Sequence, residues 1–373
     1  MSARSIGAMV DGHRLVVVVG TGGVGKTTMA AALALGAALR GRRAMVLTID
    51  PARALARALG LAALAPGGEP VSLAALPAVG LRPAGSLAAG MLDQKHAWDA
   101  FVNRHAPSAA AARTILDNRF YQELSTSFAG ATEYMAIEET CRLAESGRYD
   151  LVVLDTPPAA HALDFLRAPE RLDPLLDHRV TALLARPTAL AGAFAKVVLR
   201  WLEQAAGHVA MADVSAFLLA LDTLLDDAVA RTRKARELLR GGNAGFVLVT
   251  GPRQLVLDET GAFVERMRAV DAELTGVVLN RAHPAPGCTA AEAAAVLAEL
   301  AATAAADGAG DPAVAWADAA WRDAEAEAAA EVAPVETFLA ALPPGVAHAV
   351  IPDATRDVHS LADLAAVAAR LWA

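Results

Sequence analysis

The sequence predicts an α/β fold, a doubly wound and mainly parallel β-sheet carrying a helical subdomain. Three observations predict it. Short runs at Leu15–Val19, Ala44–Ile49, Leu151–Leu154, Phe246–Thr250, Leu274–Leu279 and Val346–Ile351 are almost continuously apolar, as strands buried on both faces are. Helical segments such as Thr27–Arg40 and Glu259–Val270 separate them, which implies right-handed crossovers between parallel strands. A glycine-rich segment joins the first run to the first helix. In such sheets ligands bind at the carboxyl ends of the strands.

The first run leads into Gly20-Thr21-Gly22-Gly23-Val24-Gly25-Lys26-Thr27-Thr28, which matches G-x-x-x-x-G-K-[ST] between a strand and a helix. Glycines let the backbone wrap close to phosphates with its N–H groups turned inward. The helix starting near Lys26 adds the positive end of its dipole, and Lys26 adds a full charge beside the β- and γ-phosphates. Thr27 supplies a hydroxyl for Mg²⁺. The loop by itself does not choose between ATP and GTP, or between a kinase, a switch and a motor.

The second run ends in Thr48-Ile49-Asp50-Pro51-Ala52-Arg53. A carboxylate at this strand end would orient a water for attack on the γ-phosphate, or hold a magnesium-bound water. A plain strand-end turn reads the same residues equally well. The third run ends in Asp155, followed by Thr156-Pro157-Pro158-Ala159-Ala160-His161. Four apolar residues ending in Asp describe a Walker B element, whose carboxylate reaches magnesium through water. His161 reads either as a γ-phosphate sensor or general base, or as a histidine satisfied by local backbone, and carries no catalytic assignment.

Residues 1–373 read as one domain with a helical subdomain inserted as two stretches. Residues from about Leu92 to Ser146 look wholly helical. The stretch from about Glu170 to Leu239 shows apolar helical faces, one through Phe194, Val198 and Trp201, another through Val214, Leu218 and Leu225. Ala301–Ala333, rich in Ala, Asp and Glu, reads as a solvated helix or loose insertion.

Composition narrows the function classes. The chain has 373 residues, 55% hydrophobic and 20% charged, with a formal net charge of -8. No basic stripe breaks that acidity, so a nucleic-acid partner is not expected. The two cysteines, Cys141 and Cys288, form no Cys-x-x-Cys, and so no zinc clip or disulfide framework. The amino-terminal residues lack a signal peptide's apolar region, and no stretch has the ~20 strongly apolar residues of a spanning helix. A cytoplasmic protein is expected.

Together these residues resemble the ArsA/Get ATPases, within the dimerising P-loop class that also contains MinD, ParA and nitrogenase iron protein. Gly20–Thr28 resembles the phosphate loop, Asp50-Pro51-Ala52 the first switch, and Asp155–Pro169 the second. Met91–Lys95 and Glu133–Glu138 are similar to segments of bacterial members. Val278–Arg281 is similar to a strand end whose Asn, here Asn280, reads adenine, and Ile351-Pro352-Asp353 to a loop packed over the base. The resemblance implies Mg-ATP as ligand, Lys26, Asp50 and Asp155 as catalytic residues, and Thr27 and Asp155 at the metal. It also implies a dimer, either homodimeric or formed with a sister ArsA-like ATPase, whose helices serve a hydrophobic client or membrane partner. One departure stands out: the family's signature lysine after the first loop glycine is replaced by Thr21. The single phosphate loop and the missing cysteine trio also depart from an arsenite pump.

Overall fold

The computed structural model describes residues 5–50, 53–119, 121–122, 125, 131–157, 230, 233–235, 237–239, 242–270, 272–306, 312–354 and 357–373. The strands are β1 (Leu15–Gly20), β2 (Arg43–Thr48), β3 (Glu69–Pro70), β4 (Ser86–Met91), β5 (Leu151–Asp155), β6 (Ala244–Thr250), β7 (Leu274–Ala282) and β8 (Ala347–Pro352). They form an eight-stranded sheet in the order β3-β4-β2-β5-β1-β6-β7-β8. Every described pairing is parallel except that of β3 with β4. From β1 the chain moves outward to β2 and β4. It returns through β5 and crosses to β6 on the other side, so the winding direction reverses beside β1. That reversal opens a crevice at the carboxyl ends of the strands.

Both faces of the central strands are covered, which is why these read as unbroken apolar runs, whereas β8, on the sheet edge, is buried only in alternation and leaves His348 and Val350 exposed. In β1, Leu15, Val17 and Val19 join one apolar cluster, while Val16 and Val18 join another. The second cluster belongs to α1 (Ile6–Asp11), α2 (Lys26–Leu39), α3 (Ala54–Ala58) and α10 (Leu361–Leu371). Alanines dominate the buried side of α2, and their small side chains let its backbone lie close to the sheet. At Gly36 a Cβ would fall 2.4 Å from the Trp372 ring. Trp372 follows α10 and is stacked under the Arg40 guanidinium at 4.5 Å.

The first cluster belongs to α4 (Gln94–His105), α6 (Ala131–Glu145) and α7 (Gln254–Arg268), through Phe101, Met135, Ile137, Phe263 and Met267. With α5 (Ala109–Leu116), the elements described between residues 92 and 146 are helices joined by short turns, and α4 and α6 share one core with the strands. Only fragments of 170–239 fall within the described residues, and His161 lies outside them, as does the stretch from 158 to 229.

The structure adds elements that the sequence pattern did not announce. β4, Ser-Leu-Ala-Ala-Gly-Met, is held by its ladder to β2 rather than by β-branched side chains. Its small residues have a packing reason, because a Cβ at Gly90 would lie 2.6 Å from the Cα of Gly68. β3 carries Pro70 on the sheet edge, where a missing donor is tolerated. α8 (Ala290–Ala306) and α9 (Pro312–Ala340) agree with a solvated helix, since α9 buries only Ala328 and Glu331. Among the described residues no helix is long and apolar enough to cross a membrane.

Candidate functional site

The glycine-rich loop occupies the crevice beside β1. Its first residue, Gly20, ends the strand at φ +152°, and a Cβ there would fall 2.1 Å from the Val249 carbonyl oxygen of β6. Gly25 has φ +92° and caps α2, where a Cβ would fall 2.4 Å from Asn280 Nδ2. Gly22 is different. No protein atom would meet a Cβ there and its φ is not positive, so the fold itself gives no reason for a glycine. A ligand approaching the backbone does give one. The amino end of α2 has no side-chain cap, so its first-turn amides are presented to the crevice as an anion site.

Lys26 opens α2 and is buried. Its Nζ donates to the Thr21 carbonyl at 2.8 Å. Burial lowers its pKa, while the nearby carboxylates of Asp155 and Asp50 act in the opposite direction. Asp155 closes β5 with 1% of its surface exposed. Its Oδ2 accepts the Thr27 hydroxyl at 2.8 Å and the Thr48 hydroxyl at 2.9 Å, whereas its Oδ1 is buried with no hydrogen-bond partner. Burial raises the Asp155 pKa to about 6 against the pull of both hydroxyls and of Lys26. Asp50 lies just past β2, where its N–H donates to Thr48 Oγ1 at 3.2 Å. Pro51 and Ala52 lie outside the described residues.

A cleft of about 500 Å³ adjoins the loop, lined among others by Gly25, Thr28, Asn280, Arg281, Pro352 and Asp353. The ends of β7 and β8 build its far wall. Asn280 is buried, and its Nδ2 donates to the Val24 carbonyl at 2.7 Å. Asp353 is fixed by its N–H on the Ala282 carbonyl at 2.8 Å. The structure thus brings Lys26, Asp50 and Asp155 within electrostatic reach of one another, and sets Asn280, Pro352 and Asp353 along the cleft that adjoins the loop at Gly25 and Thr28.

The residues fit magnesium borne by phosphates rather than a cage of protein ligands. Among the described residues no group of three or more His, Cys, Asp or Glu converges on a metal position. Thr27 and Asp155 supply hard oxygens, and magnesium usually takes one or two protein oxygens with waters and phosphates. An unpartnered Asp155 Oδ1 beside the loop suits a water of that shell.

Two contributors were not singled out from the sequence. Thr48 shares Asp155 with Thr27, and its signal was a hydroxyl in the otherwise apolar run Ala44–Ile49. Arg281 donates from Nη1 to the Gly23 carbonyl at 3.2 Å. No spacing rule points to that contact.

A family model described as anion-transporting ATPase matches residues 13–298. The chain belongs to the anion-transporting ATPase family. The loop, Asp50, Asp155 and Asn280 lie within the match, and Pro352 and Asp353 lie beyond it. The ATPase GET3 of Kluyveromyces lactis is 30% identical over 173 residues, 44% of this chain and 48% of that protein. An uncharacterised protein of Streptomyces coelicolor is 33% identical over 215 residues, 54% of this chain and 52% of that one. A putative arsenical pump-driving ATPase of Prosthecochloris vibrioformis is 29% identical over 160 residues, 43% of this chain and 36% of that protein. The chain therefore spans about half the length, or less, of these curated relatives.

Proposed function

We propose that this chain binds Mg-ATP and hydrolyses its terminal phosphoanhydride bond. The carrying observation is the buried Asp155, which receives the Thr27 hydroxyl beneath an uncapped helix end and keeps one oxygen unpartnered. A buried, half-satisfied carboxylate costs stability, and a site that uses it explains why it is kept.

In this reading the amides of Gly22–Thr28 bind the phosphate tail, and Lys26 exchanges the Thr21 carbonyl for the β- and γ-phosphates. Asp50 orients a water in line with the γ-phosphorus. The water oxygen bonds to phosphorus as the bond to the bridging oxygen breaks, giving ADP and inorganic phosphate. Magnesium, bound to the phosphates, would neutralise charge as it develops on them. Thr27 and Asp155 would hold that ion. Asn280, Pro352 and Asp353 receive the adenine. The setting is the cytoplasm, where ATP is at hand and Cys141 and Cys288 stay reduced.

The chain acts as a dimer whose nucleotide state moves its helices against a hydrophobic client or membrane partner. The family membership and the apolar faces read between Phe194 and Leu225 support this. Arsenite transport is disfavoured, because soft arsenite wants several thiolates and the chain holds two cysteines, Cys141 buried on α6 and Cys288 exposed. Thr21 supports a second reading, a weakly catalytic subunit paired with a sister ArsA-like ATPase that supplies the missing cation.

Titration calorimetry with and without magnesium tests the core of the proposal. Saturable, magnesium-dependent ATP uptake is expected, together with release of phosphate. No uptake, with the chain alone or with a sister subunit, overturns it. Light scattering with ATP reports the dimer, and hydrogen exchange over 170–239 with and without ATP tests whether that segment responds to nucleotide.

A further inference from the structure

The end of β7 departs from the rule of a strand. Neighbouring side chains ordinarily leave on opposite faces of a sheet. Here two neighbours reach the same loop: Asn280 Nδ2 donates to the Val24 carbonyl at 2.7 Å, and Arg281 Nη1 donates to the Gly23 carbonyl at 3.2 Å. The backbone shows how. Asn280 pairs with Ile351 and Ala282 with Pro352, so Arg281 is bulged out of the β7–β8 ladder. Arg281 also has φ +61°, a left-handed conformation seldom adopted by residues with a Cβ. Bulges re-aim side chains, and strained backbone persists where its surroundings over-determine it.

The aim has a physical consequence. Loop amides face an anion only if the carbonyls between them turn away, and each outward carbonyl then needs a donor. The Thr21, Gly23 and Val24 carbonyls have Lys26, Arg281 and Asn280. An entering polyphosphate draws Lys26 off its carbonyl. Arg281 is tethered through another strand and stays.

We propose that Arg281 is a positioning residue for the phosphate loop, holding Gly23 so that the loop is shaped for a polyphosphate tail before one arrives. This rests on the nucleotide reading above. A single bond from an exposed guanidinium contributes modestly, so its loss should weaken Mg-ATP and Mg-ADP binding by about three- to tenfold.

The test is Arg281→Gly, which accepts the backbone conformation and removes the guanidinium. Arg281→Asn, which also tolerates it, guards against loosening peculiar to glycine. Calorimetry with Mg-ATP and Mg-ADP is paired with hydrogen exchange on the nucleotide-free protein. In both variants the expected result is weaker binding, with faster exchange confined to residues 20–28. Unchanged affinity overturns the inference, as does faster exchange spread through β6 and β8, which would mark a merely structural residue. If the unsubstituted chain takes up no Mg-ATP, the nucleotide reading falls and this inference with it. If it binds and both variants match it, this inference alone falls.

Discussion

Thr27 donates its hydroxyl to Asp155 Oδ2 at 2.8 Å, so the second residue of α2 and the last of β5 meet at the crevice. The contact joins two segments 128 positions apart in sequence and pre-sets the oxygen pair proposed to hold magnesium. It leaves a buried carboxylate whose charge burial opposes.

Asp155→Asn should therefore separate stability from activity. Asn can still accept the Thr27 and Thr48 hydroxyls through its oxygen, and it removes a buried charge. The nucleotide-free variant is expected to melt no lower than the parent, and by up to roughly 1–3 kcal/mol higher in stability. Magnesium-dependent ATP turnover should drop by about 10–100-fold, as when an outer-shell metal partner is lost. Melting curves and phosphate release check both, and a variant that loses stability while keeping turnover contradicts the assignment.

Thr21→Lys tests the departure from the family pattern. A trans-acting cation at transferring phosphates is worth about 10³–10⁵ in rate. If its absence limits the chain, the substitution should raise turnover of the isolated protein at least about tenfold, and a sister ATPase should raise the unsubstituted chain likewise. Equal, fast rates in all three cases would show that another group already supplies the charge.

The fold was legible because its chemistry repeats. Unbroken runs such as Leu-Val-Val-Val-Val need cover on both faces, and the cover exists. The loop was legible because G-x-x-x-x-G-K-[ST] states a backbone shape and a charge together. β4 was not, since its small residues serve the approach of Gly68 and Gly90 rather than any side-chain pattern. Arg281 was hidden for a similar reason: a bulge places it, and bulges depend on strands that meet only after folding. Thr48 stood in view as a hydroxyl among apolar residues, but only the β2–β5 register brings it to Asp155.

Gly20→Ala probes the strand end rather than the ligand. A Cβ there falls 2.1 Å from the Val249 carbonyl oxygen, which is locked in the β1–β6 ladder, and φ +152° is unfavourable to alanine. The backbone has to move. Urea unfolding should show a loss of about 2–4 kcal/mol, with nucleotide binding reduced as the loop shifts. A loss below about 0.5 kcal/mol would mean that the ladder gives way easily there.

The contact between the end of β7 and α9 should respond to pH through His283, which follows β7 directly. Its N–H donates to Glu331 Oε2 at 2.8 Å, its Nδ1 lies 2.6 Å from Glu331 Oε1, and its Nε2 lies 3.3 Å from Glu327 Oε2. The hydrogen bond to Glu331 raises the His283 pKa, with help from the charges of Glu331, Glu327 and Asp353. A raised folded-state pKa means that the imidazolium form stabilises the docking of α9. That contribution is complete below the unfolded value of about 6.5, and is lost as pH climbs through the higher folded value. Hydrogen exchange along α9 should accordingly quicken as the pH rises above about 6.5, beyond the intrinsic acceleration of exchange with pH. His283→Gln keeps a donor but no titratable charge, so its α9 protection should stay level across that range. If both proteins lose protection in parallel, the histidine–glutamate contact is not what fastens α9 to the end of β7.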